Sequence, residues 1–278
     1  MRTTYLGLLE VAIEWRTSLM QRRQWLEIED QSWCPAFLRD GMTDYLQHVV
    51  TVMKPYKCIA PRLQQSISAA KAECVVDLGS GGGGPWLSLY RTLMERSEEK
   101  IPVLLTDRFP NEKAARKIED AALEIRYARI PVDATRVPES LTGFRTMFSS
   151  FHHFPPSQAQ AILEDAVRQR QGIGIFELTS RQPAQVLSMI LVPLFVLLIT
   201  PFIRPLRLSR LVFTYLLPLI PVAATFDGIV SCLRTYTPDE LREMTLSLEG
   251  SDYQWQIGQE KLLKGPGAVT YLIGYPMP

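Results

Sequence analysis

The chain has 278 residues, 46% of them hydrophobic, which is long enough for one large α/β domain with additions. Thirty basic and 29 acidic side chains leave a formal net charge of +1, so no global field draws nucleic acid, and no basic stripe interleaved with aromatics occurs. Four cysteines without CxxC spacing and only three histidines argue against a zinc cage, so no metal site is expected.

Residues 1–70 read as helical. Leu6, Leu8, Leu9, Ala12 and Ile13 follow an i, i+3, i+4 rhythm, as do Tyr45, Val49, Val52 and Met53. Glu10 and Glu14 interrupt the first apolar run, so it lacks a signal-peptide pattern and a reducing, cytoplasmic-side location is expected. Asp30 to Pro35 breaks the helices, with Pro35 suited to the first turn of the next one. Trp33, Arg39, Asp40, Asp44 and Tyr45 are candidates for the edge of a pocket. The alternative is a helix packed on a sheet with a solvated polar face.

Cys74 to Leu78 is a short apolar run ending in an acid, Gly79 to Gly84 is glycine-rich, and Trp86 to Met94 has a helical rhythm. This is a strand, tight turn and helix, the first βα unit of a nucleotide-binding sheet. Its glycines admit a ligand to the backbone and permit positive φ. Ile101 to Thr106 reads as a second buried strand closed by Asp107, with Arg108 beside it. A carboxylate there, about 25 residues after the turn, suits ribose hydroxyls. Ile130 to Val132 is expected to end the third strand, placing Asp133 and Ala134 at an adenine amine. NAD sites and S-adenosylmethionine sites share this layout. The turn, however, lacks a strict G-x-G-x-x-G, Asp77 is placed for a cationic methionine amine, and Asp133 supplies a third acid.

Phe144 to Phe148 reads as strand four, and Ser149, Ser150, His152 and His153 come after it on the same edge of the sheet as the glycine turn. Strand five, Gly172 to Ser180, carries Glu177 near its end. Next comes the second unusual feature. Gln182 to Ile203 has no charged residue, Arg204, Arg207 and Arg210 come next, and Leu211 to Phe226 is again uncharged. A bilayer-spanning hairpin would carry the three arginines across, against the positive-inside tendency. Pro193, Pro201, Pro205, Pro218 and Pro221 also disfavour straight spans. The preferred expectation is a monotopic segment dipping into one leaflet with its arginines among lipid phosphates, against a soluble apolar lid or a true hairpin. Arg234 and Tyr236 come shortly after, suited to a polar head group or to fixing the chain's re-entry. Tyr253 to Leu262 and Ala268 to Tyr275 form an expected antiparallel hairpin.

Asp77-Leu78-Gly79-Ser80-Gly81-Gly82-Gly83, Thr106-Asp107, Val132-Asp133-Ala134, Phe144 to Phe154, Gly172 to Ser180 and Tyr236 to Leu241 together resemble the motifs of class I S-adenosylmethionine-dependent methyltransferases. The resemblance covers 71–181 and 227–278. It implies a Rossmann-like sheet of seven strands with the last antiparallel, an N-terminal helical cap over 1–70 and an apolar insertion at 182–226 after strand five. It further implies S-adenosylmethionine bound by Asp77, Gly79, Ser80, Gly81, Gly83, Asp107, Arg108, Asp133, Ala134 and Ser149, with S-adenosylhomocysteine as product. The segment after strand five commonly walls the acceptor pocket in this superfamily, so a hydrophobic small-molecule or lipid acceptor at the cytoplasmic membrane surface is expected. Methyl transfer is an in-line displacement governed by positioning and exclusion of water, and a base is needed only when the acceptor must lose a proton. His152, His153 and Glu177 are the candidates. Against them stand a helix cap for His153, packing for His152 and an ion pair with Arg181 for Glu177. Other sulfonium chemistry, or a non-enzymatic membrane scaffold on the same fold, are the rival readings.

Overall fold

The computed structural model describes residues 21–95, 100–248 and 252–277. The leucine rhythm at 6–13 lies outside them. Four short apolar runs, β1 (Val75–Leu78), β2 (Val103–Thr106), β4 (Phe144–Phe148) and β5 (Ile173–Glu177), are almost continuously buried. That pattern suits parallel strands covered on both faces, where alternation would leave polar side chains in the core. With β3 (Ile125–Tyr127), β6 (Tyr253–Lys261) and β7 (Ala268–Pro276) they form a seven-stranded sheet of order β3-β2-β1-β4-β5-β7-β6. Strands β1 to β5 run parallel, and β7 inserts antiparallel between β5 and β6. The expected closing hairpin and reversed seventh strand are both present. Its loop closes where Leu262 donates to the Gly267 carbonyl at 3.1 Å, and Gly265 and Gly267 take the positive φ of the turn.

The third strand ends earlier than expected. Tyr127 is its last residue, and Ile130 to Asp133 is a loop. Pro131 has no N–H for the ladder. The loop still tracks the end of β2, because Ala128 donates to the Leu105 carbonyl at 2.8 Å and Val132 to that of Asp107 at 2.9 Å.

The chain divides into two compact units. One contains Asp40–Thr179 and Thr237–Pro278; the other joins the described part of residues 1–39 to Ser180–Tyr236. The first unit is built on the sheet. Its core holds Trp86, Phe144, Phe148 and Phe176 with Leu63, Leu105 and Ile118. Phe148 stacks on Phe176 at 5.1 Å and meets Trp86 and Tyr56 edge-on at 5.6 and 5.0 Å. Helix α1 (Ala36–Met53) starts directly after Pro35, as the sequence suggests.

In the other unit, Pro183–Phe202 is a helical run of 20 residues and mean hydropathy 2.2, long and apolar enough to cross a membrane. It is not a uniform α-helix. Short 3₁₀ turns interrupt it next to Pro193 and Pro201, where the ring removes a backbone donor. A second pair, Leu208–Leu216 and Leu219–Arg234, bends by 78°. The buried face of the Leu219–Arg234 helix carries a polar seam to residues 22–31. Asp227 accepts from the N–H groups of Ile28 and Glu29 at 2.7 and 3.0 Å, and Arg234 pairs with Glu27 and Asp30, each at 3.1 Å. Arg22 lies over the Tyr236 ring. Arg234 and Tyr236 are thus engaged in fixing the chain here. Of the three arginines expected among lipid phosphates, Arg210 departs from that reading: it is buried and donates to the carbonyls of Ile203 and Pro205 at 2.8 and 2.7 Å, closing the turn. Arg204 remains exposed.

Candidate cofactor and active site

The strand order reverses between β1 and β4, since β1 pairs with β2 on one side and β4 on the other. In open α/β sheets a crevice forms at the carboxyl ends of the strands at such a point. The glycine turn after β1 occupies it. Gly79, Gly81, Gly83 and Gly84 all have positive φ, which side chains resist. Two of these glycines do different work. A Cβ on Gly83 would lie 2.4 Å from Ile118 Cδ1, so its absence lets α2 (Glu112–Ala121) pack under the turn. A Cβ on Gly81 would meet nothing within 4 Å, so its backbone is open to an approaching ligand.

Asp77 is buried beneath this turn. Its Oδ2 accepts from the Ser80 hydroxyl at 2.5 Å and its Oδ1 from the Thr146 hydroxyl at 2.6 Å. Burial pushes its pKa up to about 6, with the two hydroxyls opposing the shift. The acid expected at a methionine amine is therefore turned inward as a latch between the glycine turn and β4. Ser80 is part of the same latch: its N–H donates to Thr106 O at 2.9 Å, and its Oγ accepts from Thr106 N at 3.2 Å.

Asp107 lies half-buried at the tip of β2. Its Oδ2 accepts from Gly81 N and its Oδ1 from Phe109 N, both at 2.8 Å. A carboxylate has about four lone-pair sites, so two are left for ligand hydroxyls. Asp133, half-exposed, accepts from Thr135 N and Oγ1 at 2.9 and 2.7 Å, which holds its carboxyl below the usual carboxylate range. Arg108 is exposed, 3.9 Å from Asp133, and Ala134 is buried beside it in sequence.

Ser149, the first residue after β4, has φ 44 without being glycine. The left-handed region costs an ordinary residue roughly 1–2 kcal/mol. Three hydrogen bonds hold it there: Ser149 N to Phe176 O at 2.9 Å, Ser149 Oγ with the Tyr56 hydroxyl at 2.7 Å, and Leu178 N to Ser149 Oγ at 3.2 Å. Phe151–His153 then forms a 3₁₀ turn. Glu177, at the end of β5, caps it. Oε1 accepts from the N–H groups of Phe151 and His152 at 2.9 and 3.2 Å, and Oε2 lies 2.7 Å from His152 Nδ1. His152 is buried, and His153, half-buried, stacks on it at 4.4 Å.

The structure brings the glycine turn, Asp107, Ser149, His152 and Glu177 to one edge of the sheet. It adds Tyr56, Tyr127 and Thr146, which the sequence pattern does not single out. Tyr127 donates to Gly81 O at 2.9 Å. A strand-end tyrosine or threonine has no local signature, because its partner lies on another strand. Trp33 is exposed, and Arg39 donates to the carbonyls of Glu29 and Gln31 at 3.0 and 2.7 Å. Asp40 pairs with Lys113 at 2.9 Å, and Tyr45 is buried.

A parallel sheet with one reversed strand, its glycine turn at the switch point and an acid at the tip of β2 defines the class I methyltransferase fold. One solved structure shares this fold, and others resemble it less. The plantazolicin methyltransferase BpumL, solved in complex with SAH, is similar with a TM-score of 0.56 and 10% identity, over 90% of this chain and 94% of its own. The O-methyltransferase NcsB1 from neocarzinostatin biosynthesis, solved with SAM and 2-hydroxy-5-methyl naphthoic acid, has a TM-score of 0.49 and 12% identity over 87% of this chain and 59% of its own. Human N-acetylserotonin methyltransferase, solved with SAM, has a TM-score of 0.45 and 13% identity over 84% of this chain and 56% of its own. The chain thus spans nearly all of the first and less than two thirds of the other two. No family model matches the sequence, and no curated protein matches it.

Proposed function

We propose that this protein transfers the sulfonium methyl of S-adenosylmethionine to a hydrophobic small molecule or lipid at a membrane surface. The observation that carries the reading is the opening over Gly81, unfilled by any side chain, beside an Asp107 carboxylate that Gly81 N itself orients. That site fits the cofactor. An exposed backbone at positive φ admits a bulky ligand, and the spare lone pairs of Asp107 suit a ribose diol. Asp133 offers acceptors suited to an adenine amine. The plantazolicin methyltransferase, solved with SAH on the same fold, supports the choice of ligand without fixing the acceptor.

When bound, S-adenosylmethionine supplies an electrophilic methyl carbon. The protein's task is then to orient the acceptor and exclude water. His152 is the group we assign to proton removal. The Glu177 carboxylate lies 2.7 Å from Nδ1, which fixes the orientation of the ring and assigns the proton transfer to Nε2. Glu177 itself has both oxygens engaged on the 3₁₀ turn and on Nδ1, so its role is to position His152. The insertion supports a lipophilic setting: Leu187, Ile190, Leu198, Phe202, Leu208 and Leu216 are each more than half exposed.

Titration calorimetry with S-adenosylmethionine and S-adenosylhomocysteine tests the cofactor. Wild-type protein is expected to bind both with micromolar dissociation constants, and Asp107→Ala to weaken binding at least tenfold, the loss of about 1.4 kcal/mol or more. Folded wild-type protein that takes up neither ligand sinks the enzyme reading and favours a scaffold.

A further inference from the structure

We infer that Tyr56 is a positioning residue for this site: its hydroxyl holds Ser149 in the left-handed conformation and thereby sets the Ser150–His153 turn against the glycine turn. Tyr56 lies in the 3₁₀ turn Pro55–Ile59, far in sequence from β4, and is almost fully buried. Its ring packs edge-on to Phe148, the last residue of β4, so the phenol is anchored at both ends. Burial raises its pKa, so the hydroxyl keeps its proton at working pH. Ser149 Oγ also receives the Leu178 N–H, which ties the ends of β4 and β5 through one hydroxyl.

The path of the chain beyond Ser149 depends on the φ of that residue. In the left-handed conformation the chain turns back over the glycine turn: Ser150 Oγ lies 3.3 Å from where a Gly79 Cβ would be, and Phe151 and His152 present their N–H groups to Glu177. A Ser149 relaxed to negative φ directs this turn elsewhere. Backbone strain at a non-glycine residue persists only where the surroundings over-determine it, and the Tyr56 hydroxyl is the side-chain part of that determination. The affinity consequence rests on the proposed cofactor site; the conformational one does not.

The test compares wild type, Tyr56→Phe and the double variant Tyr56→Phe/Ser149→Gly by amide hydrogen exchange without ligand and by calorimetry with S-adenosylmethionine. Glycine reaches positive φ without strain, so it relieves any need for the clamp. In Tyr56→Phe, exchange at Phe151, His152 and Leu178 is expected to quicken about fivefold, with amides of β1 and β7 unchanged, and the dissociation constant to rise by a similar factor. Glycine at 149 is expected to bring the exchange at Phe151 and His152 back to within about twofold of wild type. Unchanged exchange in Tyr56→Phe overturns the inference. So does faster exchange that the glycine fails to restore, which assigns the effect to the hydroxyl network. If wild-type protein binds no S-adenosylmethionine, the cofactor reading fails while the exchange comparison still decides the role of Tyr56.

Discussion

Asp77 and Asp107 share a residue type and a place at a strand end, yet burial separates their work. Asp107 keeps acceptor capacity at the crevice, whereas Asp77 spends both oxygens on Ser80 and Thr146 under the turn. Its raised pKa has a consequence for stability. The folded state holds this proton up to about pH 6, the unfolded state only to its ordinary value near 3.8. The folded form therefore binds more protons between those limits, and stability drawn from Asp77 falls as pH rises through them, by up to roughly 3 kcal/mol. Asp77→Asn carries no such titration. Urea denaturation at pH 4 and pH 7 is expected to show the variant gaining on wild type at the higher pH. A difference between the two proteins that stays constant across this range contradicts the assignment.

At the scale of the element, the glycine turn joins two separable requirements. Gly83→Ala places a methyl against Ile118 at positive φ and is expected to cost about 2–4 kcal/mol, seen as a lower midpoint in thermal unfolding. Gly81→Ala meets no neighbour and is expected to cost only about 1 kcal/mol of stability, yet to weaken S-adenosylmethionine binding at least tenfold by filling the opening. Equal losses of stability in the two variants, or unaltered ligand affinity in Gly81→Ala, count against this division. Elements with short-range causes were legible in the sequence. The helix Pro238–Leu246 begins at Thr237, whose hydroxyl accepts from Glu240 N while Glu240 accepts from Thr237 N, a capping box written in four residues. The third strand was less legible, because Ile130-Pro131-Val132 has strand composition while its pairing is decided by where β2 ends.

At the scale of the whole molecule, the insertion exposes an extended apolar surface. Phe202 is 70% and Leu208 77% exposed, and no acidic residue occurs between Gln182 and Phe226. Burying a leucine or phenylalanine side chain yields about 1.5–3 kcal/mol, so a few such contacts suffice for reversible binding to a lipid surface. Wild-type protein is expected to float with phosphatidylcholine–phosphatidylglycerol vesicles on a density gradient. Phe202→Asp/Leu208→Asp is expected to stay in the dense fraction with its cofactor affinity intact. Wild-type protein that remains with the aqueous layer supports a covered lid in place of the membrane reading.

The sequence by itself determined the sheet's chemistry: apolar runs ending in acids, a glycine cluster at the first turn, a closing hairpin and an uncharged insertion. These are set by local composition, period and turn stereochemistry, which act over a few residues. Only the tertiary structure decided that Asp77 faces inward, that Arg210 is spent on carbonyls, that Glu177 meets His152 Nδ1 and that Tyr56 reaches Ser149. Each of those outcomes depends on a hydrogen-bond partner supplied by another strand or turn, and burial fixes the partner only after the sheet has assembled.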